Sequence, residues 1–182
     1  MTPTSNILVG RIGGVFWLRV EGRGSYLNSM QVKRAFQAVI EEGMHDLVID
    51  LERCSMMDST FLGTLTGTAL SLMEHGGGSL SVLNANARNL QLLNDLGLDQ
   101  ILEVDTDGTR WPEERKAVCE DLAACQEQAS ACKLEQTAHV LTAHQTLSNL
   151  SHRNQSRFRD VIHFLEKELD ASQQTAPIPA PA

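Results

Sequence analysis

The spacing of apolar residues changes period several times along the chain, and each change predicts an element. In "NILVGRIGGVFWLRV", residues 6–20, Phe16, Leu18 and Val20 alternate with Val15, Trp17 and Arg19 after Gly13-Gly14, which predicts a β-hairpin. From about Asn28 to Glu42 the steps Val32, Phe36, Val39 and Ile40 predict a helix, closed by Gly43. "DLVIDL", 46–51, is an apolar run with no polar face, as in a central strand buried on both sides. "ERCSMM" follows as a loop. Beyond it Leu62, Leu65, Ala69, Leu72 and Met73 return to helical steps up to "HGGGS" at 75–79. "LSVL" at 80–83 reads as a strand and "NARNLQLLNDLGL" as a helix ended by Gly97, with "QILEV" at 100–104 as the last strand. The expected order is β-β-α-β-α-β-α-β, an α/β domain with helices packed on one sheet through crossover connections.

After Trp111-Pro112 the composition shifts. Residues 113–172 contain no Gly or Pro and are rich in Ala, Glu, Gln and Leu, so helices are expected throughout. Val118, Leu122 and Cys125, then Phe158, Ile162, Leu165 and Leu169, make amphipathic faces that need an apolar partner. "SHRNQS", 151–156, is a turn or a weak spot. The extension either folds back on the sheet domain or forms a homodimer with a second copy, and 126–150 is too irregular for a simple two-stranded coil. The division expected is a domain at 1–110, a helical extension at 111–172 and a disordered Pro- and Ala-rich tail at 173–182.

Charge and composition remove several classes of function. With 182 residues, 42% hydrophobic and a net charge of −8, the chain supports one ordinary domain plus an appendage. Its basic residues are too scattered for a phosphate-binding patch, and Arg153, Arg157 and Arg159 read as a solvated helix face, so no nucleic acid is expected. No run of about 18 apolar residues exists and the N-terminus lacks the pattern of a signal peptide, so the reading is cytoplasmic, with no membrane. Cys54, Cys119, Cys125 and Cys132 form no CxxC pair and read as reduced, mostly buried thiols; Cys125 and Cys132 would share one helix face. The histidines, His139, His144, His152 and His163 among them, match no zinc spacing, and no metal or cofactor is expected.

One corner carries candidate chemistry. In "MMDSTFLGT", 56–64, Asp58 and Ser59 stand where a helix starts, a place that favours anions. An N-cap is the ordinary reading of Asp58. Catalysis finds little support: "DST" is not the G-x-S-x-G elbow, no histidine is tied to it by spacing, and no phosphate-binding G-x-x-x-x-G-K is present. Gly63 and Gly67, with Thr64, Thr66, Thr68 and Ser71, leave a helix face nearly free of bulk, suited either to close approach of another backbone or to tight packing on the sheet.

The segment from "DLVIDL" through "MMDSTFLGT" to "LGLDQILEV" resembles the STAS domain of bacterial anti-sigma factor antagonists, over roughly residues 5–107. The resemblance implies a STAS-like mixed β-sheet with packed helices and a non-enzymatic binding role. It implies Ser59 as a phosphoacceptor, with Thr60 the lesser candidate, and Asp58, Thr60, Phe61, Gly63, Thr64 and Gly67 as partner-facing residues. The implied partners are a serine kinase anti-sigma factor, captured when Ser59 is unphosphorylated, and a serine phosphatase. Phe61 departs from the family, which often has Gly there; its ring is either an exposed anchor or buried. Alternatives within the same family are a scaffold subunit of a signalling particle and a subunit that docks on a lipid-transporter ATPase.

Overall fold

The structure, a computed structural model, describes residues 6–125 and 131–174, with side chains for all of these except 119–121, 173 and 174. Strands β1 (Asn6–Ile12) and β2 (Val15–Gly24) form the hairpin, followed by α1 (Tyr26–Glu41), β3 (Asp46–Asp50), β4 (Cys54–Met57), α2 (Ser59–Glu74), β5 (Ser79–Leu83) and α3 (Ala87–Asp95). A 3-10 turn (Leu98–Gln100) leads into β6 (Glu103–Val104), α4 (Pro112–Asp121), β7 (Ala123–Ala124), α5 (Lys133–Ser148) and α6 (His152–Gln174).

The strand order is β6-β5-β3-β2-β1-β7, with β3, β5 and β6 parallel to β2 and the β1 pairings antiparallel. This is a mixed sheet, and β3 lies centrally in it, as its unbroken apolar run requires. The alternation in β2 splits as read. Phe16, Leu18 and Val20 meet α1, α2 and α3 in the main core, whereas Val15 and Trp17 face a second cluster with Val48, Leu83 and Val118 of α4. A buried polar knot ties the strands on that second face. Asp50 accepts from Trp17 Nε1 at 3.2 Å, Arg19 Nε at 2.8 Å, the Glu52 N–H at 3.0 Å and Asn84 Nδ2 at 2.8 Å. Four donors offset the desolvation of one fully buried carboxylate.

Three differences from the sequence reading have local causes. Helix α1 starts at Tyr26, because the Asn28 side chain reaches back to the Ser25 N–H at 2.9 Å and moves the cap forward. The last strand is only Glu103–Val104, because Gln100 ends the 3-10 turn and Ile101 caps it. Two strands also lie where none was expected. "CSMM" is β4, parallel to Gly22–Gly24 at the end of β2, and Ala123–Ala124 is β7 on the outer edge of β1. Both are held by tertiary pairing alone, which periodicity over so few residues cannot reveal.

In the single chain the extension folds back. Helix α4 covers the second face of the sheet, α5 crosses α2 and touches α1, and α6 packs on α5. Cys125 follows β7 and Cys132 is the exposed N-cap of α5, so these thiols do not share a helix face; Cys54 is buried. The side chain of Cys119 lies outside the described residues, as does the tail from 175 onward. Among the described residues no helix is long and apolar enough to cross a membrane.

Candidate functional site

Strand β4 delivers the chain to the corner. Its pairing with β2 continues into a hydrogen bond from the Asp58 N–H to the Gly24 carbonyl at 2.9 Å. Asp58 then caps two helices at once: Oδ1 accepts from the Phe61 N–H of α2 and Oδ2 from the Tyr26 N–H of α1, both at 2.9 Å. The N-termini of α1 and α2 therefore converge on one carboxylate, and their partial positive charges favour it there. Ser59, the first residue of α2, stands beside it, half-buried.

Phe61 turns inward and is fully buried. The missing side chain of Gly24 makes room for it, since a Cβ there would lie 2.8–2.9 Å from the ring. The exposed-anchor alternative for Phe61 is thus corrected: its ring is not at the surface. Thr60 and Thr64 are also buried, at 4% and 6% exposed.

The small-residue face of α2 is approached by another backbone, and that backbone is the chain's own. A Cβ on Gly63 would meet the Ala143 carbonyl oxygen at 2.2 Å, so only glycine permits α5 to lie this close. Gly67 borders a cavity of about 200 Å³ between α1, α2 and α5.

Sequence reasoning missed two histidines here, because they lie on α5. His144 Nε2 is 2.9 Å from Ser59 Oγ, and its Nδ1 is 2.8 Å from the Val140 carbonyl. A carbonyl only accepts, so Nδ1 carries the proton, and in the neutral ring Ser59 donates to Nε2. His139 works the other way. Ser29 and Thr64 donate their hydroxyl protons to the Tyr26 and Thr60 carbonyls and accept from His139 Nε2, at 2.9 and 3.3 Å. Burial, aided by the charges of Lys33 and Arg34, holds the His139 pKa down at about 4, so the ring stays neutral near pH 7.

The Ser59–His144 distance matches that of a nucleophile and its base, but the surroundings differ from those of such a pair. The histidine is oriented by a main-chain carbonyl instead of a carboxylate, Asp58 already occupies the Phe61 N–H, and Ser59 is not among the walls of the neighbouring cavity.

The family model described as STAS domain matches residues 6–109, more than half of the chain. The chain belongs to the STAS domain family. Helices α4, α5 and α6 lie outside the matched STAS segment. A candidate anti-sigma factor antagonist of Thermotoga maritima has a similar fold, with a TM-score of 0.52 at 21% identity over 59% of this chain and 92% of that one. An anti-sigma factor antagonist of Mycobacterium paratuberculosis gives a TM-score of 0.51 at 22% identity, over 63% of this chain and 94% of its own. At these identities the likeness is one of STAS fold. No curated protein matches the chain.

Proposed function

We propose that this STAS protein is an anti-sigma factor antagonist whose Ser59 is the switch. Unphosphorylated, the Ser59 corner captures a serine kinase anti-sigma factor; phosphorylated, it lets go, and a serine phosphatase resets it. The observation that carries this reading is the geometry of the corner. A half-buried hydroxyl opens α2 beside a carboxylate that already caps both α1 and α2.

In the phosphorylation step Ser59 Oγ forms a bond to the γ-phosphorus of ATP, ADP leaves, and the hydroxyl proton passes to the kinase. The product places about −1.5 to −2 charges where the α2 N-terminus tolerates them, so the fold survives. A partner fitted to the neutral hydroxyl instead meets bulk and like charge next to Asp58. A penalty of several kcal/mol follows, at about tenfold in affinity per 1.4 kcal/mol.

The test is peptide mapping by mass spectrometry after incubation with the kinase anti-sigma factor and ATP, together with binding by Ser59→Ala and Ser59→Asp. Phosphate on Ser59, with alanine retaining binding and aspartate weakening it, is the expected result. Phosphate found only elsewhere, or equal binding by the two variants, removes the switch.

A further inference from the structure

The seam between α5 and α2 is built unlike the rest of the interior. Toward the sheet α2 buries Phe61, Leu62, Leu65, Ala69 and Leu72, whereas toward α5 it presents Gly63, Thr64, Gly67, Thr68 and Ser71. Thr64 and Thr68 donate their hydroxyl protons to carbonyls of their own helix, so those bonds persist whether or not α5 is there. Lifting α5 from this face uncovers no row of large apolar side chains.

The seam is also incompletely filled. The cavity of about 200 Å³ runs along it, walled by Lys33 and Gln37 of α1 and by Thr142 and Thr146 of α5 as well as by α2. Along this face α5 is held by directional contacts, Ser59 to His144, His139 to Ser29 and Thr64, and the Ala143 main chain on Gly63, with Leu141 and Ala143 buried beside them.

The apolar anchor lies at the turn into α6. Leu147 and Phe158 enter the main core, and buried Asn154 donates to the Leu96 and Leu147 carbonyls at 3.0 Å. The arm is thus tied by large apolar side chains at its α5–α6 corner, whereas α2 meets it with small and polar residues.

We infer that α5 is a detachable cover, a cis occupant of the face that a partner uses. When it is closed, His144 engages the Ser59 hydroxyl and Ala143 fills the approach over Gly63. When it is lifted, the hydroxyl and the glycine-threonine face are presented together. The partner this face fits is a helix with a small residue where it crosses Gly63 and an acceptor one position on, which is what Ala143 and His144 supply. The partner's identity rests on the antagonist reading; the opening of the cover does not.

The test uses the full chain. Native-state hydrogen exchange reads the amides of α5 against those of β2 and β3, and diethyl pyrocarbonate labelling reads His139 and His144 against exposed His152 and His163. In the wild type α5 amides exchange at least tenfold faster than the strands. Ala143→Glu, which puts a carboxylate at a buried position of the seam, brings His144 labelling up to the level of His152 while β2 and β3 keep their protection. Protection of α5 equal to that of the strands, or loss of strand protection in Ala143→Glu, overturns the inference. The functional reading fails separately, if the opened Ala143→Glu chain is still unmodified at Ser59 by the kinase and ATP.

Discussion

Replacing Gly63 with alanine sets two effects against each other in different parts of the molecule. In an unobstructed helix the change stabilises by about 1 kcal/mol, because glycine loses more backbone freedom on folding. At position 63 the new methyl would lie 2.2 Å from the Ala143 carbonyl oxygen, 2.7 Å from its carbonyl carbon and 2.9 Å from its Cα. These are main-chain atoms of α5 and cannot rotate aside. Ordinary contact begins at 3.4 Å, so α5 retreats by about 1.2 Å. That retreat takes the 2.9 Å Ser59–His144 bond out of range and forfeits about 1 kcal/mol, with overpacking adding about 1–3 kcal/mol. The seam is weakened by about 2–4 kcal/mol while α2 gains about 1 kcal/mol.

Urea unfolding followed by two probes separates the parts. Trp17 is buried in the sheet and Trp111 packs with the same cluster, so fluorescence reports on the sheet domain. Far-UV circular dichroism weighs the helices, including the 16 residues of α5 and 23 of α6. In Gly63→Ala the dichroism midpoint falls by roughly 1 M urea while the fluorescence midpoint holds or rises. Coincident midpoints that both rise would refute the reasoning, since the methyl would then have met no obstacle.

Asp58→Ala removes the cap of both α1 and α2 and lowers stability by about 2 kcal/mol in a thermal melt; Asp58→Asn loses less because one acceptor oxygen remains. Asp50→Ala leaves Arg19, 8% exposed, with only the exposed Glu52 carboxylate at 3.5 Å and costs about 3 kcal/mol by urea titration. The third concerns pH. Burial, with Lys33 and Arg34, holds His139 at a pKa of about 4, below its ordinary 6.5, so between those values the unfolded chain takes up a proton that the folded one does not. Stability is therefore highest above pH 6.5 and declines toward pH 4, by at most about 3 kcal/mol, and the slope flattens in His139→Gln when urea midpoints are compared at pH 7 and pH 5.

What could be read in the sequence was whatever local spacing encodes. Asp58 as a cap, Ser59 at the head of α2 and the bare Gly63–Gly67 face follow from residues within one or two turns of each other. The histidines did not follow, because His144 reaches Ser59 across 85 positions and His139 reaches Ser29 across 110. No periodicity links helices so far apart. Of the two alternatives left open at Gly63, close approach of a backbone is the one present, and that backbone belongs to α5, which composition identified as a helix without saying where it would lie. Phe61 illustrates the same limit: its inward turn depends on the empty space at Gly24, on a different strand. Strands β4 and β7 exist only because β2 and β1 offer them an edge.

Both flanks of the main sheet finish in two-residue strands, Glu103–Val104 on one side and Ala123–Ala124 on the other. Each border covers only two residues of the strand beside it, Leu8 and Val9 of β1 and Ser81 and Val82 of β5. An incoming strand therefore finds only a two-residue ladder on either border strand, which favours helical surfaces as the place where copies of this molecule would meet.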